Sequence, residues 1–146
     1  MSEVKQRPSL ALVRKFKAPP EKVWRALTQP EELRQWFAPG DEFKIPRAEA
    51  DLKVGGRYNI VMQSPDGELH DVKGVYREIV QGKKLVYTWA WKSTPERESL
   101  VTIELRPADG GTELTLKHEQ FFDEEARDKH QHGWTGCLAH LEKFIA

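Results

Sequence analysis

Asp123-Glu124-Glu125-Ala126-Arg127-Asp128-Lys129-His130-Gln131-His132-Gly133-Trp134-Thr135-Gly136-Cys137-Leu138-Ala139-His140-Leu141-Glu142-Lys143-Phe144-Ile145-Ala146 closes the chain, and its reading decides the fold. Wound at about 100° per residue, Ala126, His130, Trp134, Cys137, Leu138, Leu141, Phe144 and Ile145 fall on one stripe, with charged residues around it. That pattern predicts an amphipathic helix with one buried face. Asp123 is placed to cap its N-terminus, Glu124 and Glu125 lie where the helix dipole favours anions, and Lys143 lies where it favours a cation. Two residues are costly where they stand. Gly133 lowers helix stability by about 1 kcal/mol relative to alanine, which predicts a close approach to the backbone there. His130 sits inside the apolar stripe, either as a core histidine hydrogen-bonded to a strand or as a polar handle in a cavity.

Length and charge narrow the rest. A chain of 146 residues is expected to form one domain over residues 1–146, with residues 1–9 a flexible N-terminus, and to bury about two-thirds of its unfolded surface. Lysine plus arginine number 23 and aspartate plus glutamate 23, leaving no net field to gather phosphates or anionic lipid. Nucleic acid and membrane surfaces are therefore not expected partners. The polar run Met1 to Pro8 lacks the apolar segment of a signal peptide, and no stretch approaches the roughly 20 apolar residues of a membrane span. A cytoplasmic location is expected. The single cysteine, Cys137, allows neither an internal disulfide nor a cysteine-based zinc site.

Upstream, Leu10 to Phe16 alternates as a strand with Leu10, Leu12 and Phe16 on one side and Arg14 in phase with them. Pro20 opens a short helix with Val23, Trp24, Ala26 and Leu27 on its apolar side, and Thr28-Gln29-Pro30 breaks it. A second short helix, Glu31 to Phe37, carries Leu33, Trp36 and Phe37 before Ala38-Pro39-Gly40 stops it.

From Pro46 onward the period is two. Ala48, Ala50 and Leu52 share a face, Val54-Gly55-Gly56 turns the chain, and Tyr58, Ile60 and Met62 return. Pro65-Asp66-Gly67 makes the next turn. In the strand Leu69 to Ile79, Val72, Gly74 and Tyr76 are out of phase with Val75 and Ile79, and a bulge at Gly74 would reconcile them. Leu85, Tyr87, Trp89 and Trp91 form the richest inner row, followed by Ser99, Val101, Ile103 and Leu105, then Leu114, Leu116 and His118. The predicted fold class is α+β: a curved antiparallel sheet of about seven strands, solvated on one side, wrapped around the long C-terminal helix. The helical pair after the first strand closes one end.

The motifs that carry a family resemblance run through nearly the whole chain. They are Phe16-Lys17-Ala18-Pro19-Pro20-Glu21-Lys22-Val23-Trp24-Arg25-Ala26-Leu27-Thr28, Trp36-Phe37-Ala38-Pro39, Val54-Gly55-Gly56-Arg57-Tyr58, Leu85-Val86-Tyr87-Thr88-Trp89, and Arg127 to Leu138. Together they resemble the bacterial family named for the C-terminal domain of the activator of heat-shock protein 90 ATPase, within the START-like, or SRPBCC, superfamily. The resemblance implies the helix-grip fold and a hydrophobic cavity between helix and sheet. It also implies, by the family's name, a co-chaperone partner and a place in the stress response, although this chain corresponds only to the C-terminal domain of the eukaryotic activator.

No Gly-x-Ser-x-Gly elbow, phosphate loop or His-Glu-x-x-His motif is present. His130 and His132 lie on different helix faces, and His118 and Glu119 alternate along a strand, so no metal and no cofactor is expected. What remains is an aromatic interior. Trp36, Tyr58, Met62, Tyr76, Tyr87, Trp89, Trp91 and Trp134, with His118, His130 and Cys137, are the candidate ligand-binding residues, against the plain alternative that they fill a core. Buried indole N–H and tyrosine hydroxyl groups need partners, some of which a ligand can supply. The leading expectation is binding of a small hydrophobic molecule, aromatic or lipid-like, whose polar end the histidines orient. The alternatives are a cyclase or dehydratase with His118 or His130 as acid/base, for which only Arg14 and Glu78 stand as in-phase charged neighbours, and a co-chaperone stimulating a chaperone ATPase.

Overall fold

Period-two alternation builds the sheet, and prolines and an aspartate cap start the helices. The computed structural model describes residues 7–145, in the order β1 (Leu10–Phe16), α1 (Pro20–Thr28), α2 (Pro30–Trp36), β2 (Lys44–Ala50), β3 (Arg57–Gln63), β4 (Leu69–Val80), β5 (Lys84–Trp91), β6 (Ser99–Ala108), β7 (Gly111–Glu119) and α3 (Glu124–Ile145). The seven strands form one sheet in the order β1-β7-β6-β5-β4-β3-β2, antiparallel at every pairing. β2 to β7 are thus a meander, and β1 adds beside β7. Of the expected N-terminal flexibility and the helix's terminal Ala146, residues 1–6 and 146 lie outside the described residues. Pro8 is already tied down, its carbonyl accepting the Phe121 N–H at 3.2 Å.

α3 begins as its sequence predicts, with Asp123 Oδ1 accepting the Ala126 N–H at 2.8 Å. Its buried face comprises Trp134, Cys137, Leu138, Leu141 and Ile145, set against the inner rows of the curled sheet. α1 and α2 close one end, tied to each other by the Trp36 indole N–H, which donates to the Ala26 carbonyl at 2.8 Å.

Four local expectations are corrected. β2 starts at Lys44 and its register shifts between Lys44 and Arg47; Pro46 is tolerated there because β2 is an edge strand with no ladder to donate to on one side. In β4 the register shift falls between Tyr76 and Glu78, not at Gly74. Gly74 serves a different purpose: a Cβ there would collide with the Thr88 carbonyl and stand 2.7 Å from the Tyr58 ring, whose hydroxyl donates to that same carbonyl at 2.6 Å. On α3, the close backbone approach occurs at Gly136, where a Cβ would strike the Pro39 carbonyl, whereas at Gly133 the nearest atom is Pro39 Cβ at 3.9 Å. Finally, the outer face is not wet throughout, since Val86, Thr88 and Ala90 of β5 are all buried. The Thr88 hydroxyl is satisfied there by the Val75 N–H at 2.8 Å.

Candidate functional site

Between α3, the inner faces of β3 and β5, and the segment after α2 lies a pocket of about 630 Å³. Met62 from β3 and Trp89 and Trp91 from β5 form one wall. Lys129, His130, His132, Gly133, Trp134 and Cys137 of α3 form the second, and Pro39, Gly40 and Phe43 the third, with His70 of β4 at the edge.

Two histidines fix the indole wall. His130 Nδ1 lies 2.7 Å from the Ala126 carbonyl, which can only accept, so Nδ1 carries the proton. Its Nε2 is therefore an acceptor, and it receives the Trp91 indole N–H at 2.9 Å and the Trp89 indole N–H at 3.3 Å. One ring position thereby orients two tryptophans. Burial holds the His130 pKa below its ordinary value, against the opposing effect of the Ala126 hydrogen bond.

His118 does the same from behind. It is fully buried, its Nδ1 accepts the Trp134 indole N–H at 3.0 Å, and its Nε2 lies 2.7 Å from the Ser99 hydroxyl. Since Nδ1 accepts, Nε2 carries the proton and donates to Ser99 Oγ, which donates onward to the Trp89 carbonyl at 3.3 Å. Burial pushes the His118 pKa well below the usual imidazole value, and the nearby His130 lowers it further. The two imidazole centroids are 5.2 Å apart, and both rings are held neutral.

Among the described residues, no buried side-chain nitrogen or oxygen lacks a hydrogen-bond partner. The indoles of Trp36, Trp89, Trp91 and Trp134 are all satisfied within the protein. This overturns the expectation that a ligand supplies partners for buried indole N–H groups. It also leaves neither histidine with an unoccupied ring nitrogen. Among the described residues no carboxylate is hydrogen-bonded to either ring. Glu78 pairs on the outside with Lys84 at 3.4 Å, and the Arg14 guanidinium donates to the Val13 carbonyl at 2.8 Å. No group of three or more histidine, cysteine, aspartate or glutamate side chains is placed to hold a metal among the described residues.

The candidate residues divide into three groups. Met62, Trp89, Trp91, His130, Trp134 and Cys137 surround the pocket. His118 lies behind Trp134 and supports the wall. Trp36, Tyr58, Tyr76 and Tyr87 are elsewhere, around a void of about 20 Å³ shared with Leu27, Leu33 and Phe37. Such a space is large enough for little more than one water, so these four fill core and do not line the pocket. Burial drives the Tyr58 and Tyr87 hydroxyls well above the usual phenol pKa and Tyr76 up to about 12. It also pushes the Cys137 thiol up to about 12, leaving no thiolate to act as a nucleophile at neutral pH.

Sequence reading missed Pro39, Gly40, Phe43, His70, Lys129 and His132. All lie on the segment after α2, at strand ends or on the wet side of α3, where periodicity carries no signal. Gly133 did carry one: a helix-weakening glycine beside the apolar stripe marks the place where the helix leaves space.

Comparison with known proteins agrees with the architecture. The family model described as Activator of Hsp90 ATPase homolog 1-like protein matches residues 17–146. A crystal structure from Chromobacterium violaceum is similar with a TM-score of 0.85 at 29% identity, covering 94% of this chain and 96% of that one. One from Nitrosomonas europaea gives 0.79 at 30% identity over 94% and 93%, and the AHSA1 protein of Silicibacter pomeroyi gives 0.82 at 27% identity over 93% and 96%. Among curated proteins, none matches the chain. A curled seven-stranded sheet gripping a long C-terminal helix, a family match over most of the sequence and these solved neighbours lead to one conclusion: the chain belongs to the family of activator of Hsp90 ATPase homolog 1-like proteins, with the helix-grip fold of the SRPBCC superfamily.

Proposed function

We propose that this protein reversibly binds a small hydrophobic molecule, aromatic or lipid-like, in the pocket between α3 and the sheet. The observation that carries the reading is about 630 Å³ of space walled by Trp89, Trp91 and Trp134, with indoles that two neutral histidines hold in place. Concave, mostly apolar space with a few fixed polar groups is the usual form of a small-molecule site. The histidines act here as supports for the wall, because each ring's nitrogens are already engaged.

Titrating a chemically diverse hydrophobic library against intrinsic tryptophan fluorescence tests the proposal directly. A saturable change is expected for at least one class, and Gly133→Leu, which directs a side chain into the pocket from an open helix position, should weaken it at least tenfold without unfolding the protein. No saturable response from any class would overturn the reading. An acid/base role for His118 or His130 requires a ring to release an indole before it meets substrate; turnover abolished by His118→Gln or His130→Gln with the fold intact would favour it. The family description also names stimulation of a chaperone ATPase, which an ATPase assay with the host's own chaperone measures separately.

A further inference from the structure

We infer that the molecule this pocket takes is an amphiphile with an acidic head, held at the mouth by Lys129 and His132 while an unsubstituted apolar or aryl end lies against the tryptophans. The inference rests on the reading of the pocket as a ligand site and specifies which way round the ligand lies.

Two independent observations set that polarity. The first is the state of the deep wall. The N–H groups of Trp89 and Trp91 are taken by His130 Nε2, and that of Trp134 by His118 Nδ1. His130 Nδ1 is taken by the Ala126 carbonyl. Met62 and the protonated Cys137 offer only weak sulfur partners. A hydroxyl or carbonyl on the inserted end of a ligand would therefore lose its water without replacement. Such an orphaned group weakens binding about tenfold or more.

The second is the character of the mouth. Among the described residues that line the pocket no aspartate or glutamate appears, and the one permanently charged side chain there is Lys129. His132 is exposed three residues further along α3, the spacing that puts two side chains side by side on a helix. Two of the neighbouring acids hold basic partners on α3. Glu125 meets Lys129 at 3.2 Å, with side chains 76% and 74% exposed, and Asp128 meets Arg127 at 3.0 Å. An exposed pair of that kind contributes little in water, and an ammonium has three donors, so Lys129 can accept a ligand carboxylate while keeping or exchanging Glu125. His70, at the far edge, is within 3.2 Å of the Ser64 hydroxyl. The mouth thus offers donors at Lys129 and His132, beside the solvent-facing carboxylates of Glu124, Glu125 and Asp128, and the interior offers none.

The test is a matched series read by tryptophan fluorescence and calorimetry: 2-naphthoate, the neutral 2-naphthalenemethanol, 2-naphthylmethylammonium and 6-hydroxy-2-naphthoate. We expect 2-naphthoate to bind about three- to tenfold tighter than the alcohol, the scale of an exposed charge contact, and the ammonium compound to bind weakest. The 6-hydroxyl, carried on the inserted end, should weaken binding about tenfold relative to 2-naphthoate. Lys129→Glu, at an exposed position whose folding circular dichroism verifies, should remove the preference for the acid and leave the alcohol unchanged. Equal affinities for acid, alcohol and amine, or a preference unaffected by Lys129→Glu, would overturn the acidic head while leaving the pocket as a ligand site. A 6-hydroxyl without effect would overturn the stated orientation. Binding by none of the four would overturn this inference, and only silence across the whole hydrophobic library would overturn the reading beneath it.

Discussion

The inner face of the sheet carries two aromatic clusters that began with the same sequence logic and ended in different states. Around Tyr58, Tyr76 and Tyr87 the rings interlock at centroid distances of 5.1 to 6.1 Å, and only about 20 Å³ stays empty. Around Trp89, Trp91 and Trp134 the rings are as close to one another, 5.2 to 5.5 Å, yet about 630 Å³ opens in front of them. The difference lies in what covers each cluster. Leu27, Leu33 and Trp36 from the helical pair descend on the tyrosines, and Phe37, just past α2, sits between the two clusters. The tryptophans face a segment led by Pro39 and Gly40 and a helix that presents Gly133. A cavity in this fold is made where covering side chains stop short, and the rings beside it hold position because histidines bond them.

Several outcomes would break or sharpen that contrast. The largest effect is expected for Trp36→Ala, which empties the filled end and releases the Ala26 carbonyl; chemical denaturation should show a loss of about 3–5 kcal/mol. Trp91→Ala, at the half-buried edge of the pocket, should lose clearly less, and equal losses would mean that the two ends are packed alike.

His118 comes next. His118→Ala should orphan the Trp134 N–H and take away the N–H that Ser99 Oγ accepts, costing about 1–3 kcal/mol for each group left unpaired. The same network predicts acid sensitivity. Burial depresses the folded-state pKa values of His118 and His130 below 6.5, so as pH falls beneath that value the unfolded chain takes up protons that the folded chain refuses. Stability is then fully present above pH 6.5 and declines as pH drops toward the folded-state values. Melts across this range, repeated on a His118→Gln, His130→Gln double variant, check the assignment. A flat profile in the parent protein would remove the neutral-histidine wall from the account.

The smallest effects separate two glycines of one helix. Gly136→Ala should destabilise by about 1–3 kcal/mol, since its Cβ meets backbone that cannot move aside. Gly133→Ala should instead stabilise by up to about 1 kcal/mol through helix propensity, its Cβ reaching only ordinary contact with Pro39. Thermal melts of the pair distinguish a glycine kept for packing from one bordering open space.

Much of this architecture was readable from residues alone. The span and cap of α3, the meander, the helical pair and the inward rows of β5, β6 and β7 follow from periodicity and turn chemistry, because each depends on neighbours a few residues apart. The sequence points to a bulge at Gly74, and the structure places the register shift between Tyr76 and Glu78, because sequence shows that a phase change is needed but not which backbone must yield. Gly74 answers to Thr88 and Tyr58, partners brought in from other strands. The close approach foreseen at Gly133 belongs to Gly136 for the same reason: the Pro39 backbone arrives there from a segment with no periodic signature.

The sequence by itself determined the inner apolar rows, the order of the elements and the cap of α3, and that aromatic rings and two histidines meet between helix and sheet. Those properties are local, fixed by side-chain chemistry and backbone period. Only the tertiary structure decided which rings are covered and which border space, and that the histidines bond indoles and leave no nitrogen for a guest. Those outcomes depend on distances between segments far apart in the chain, where a shift of one side chain's length separates a packed core from a pocket.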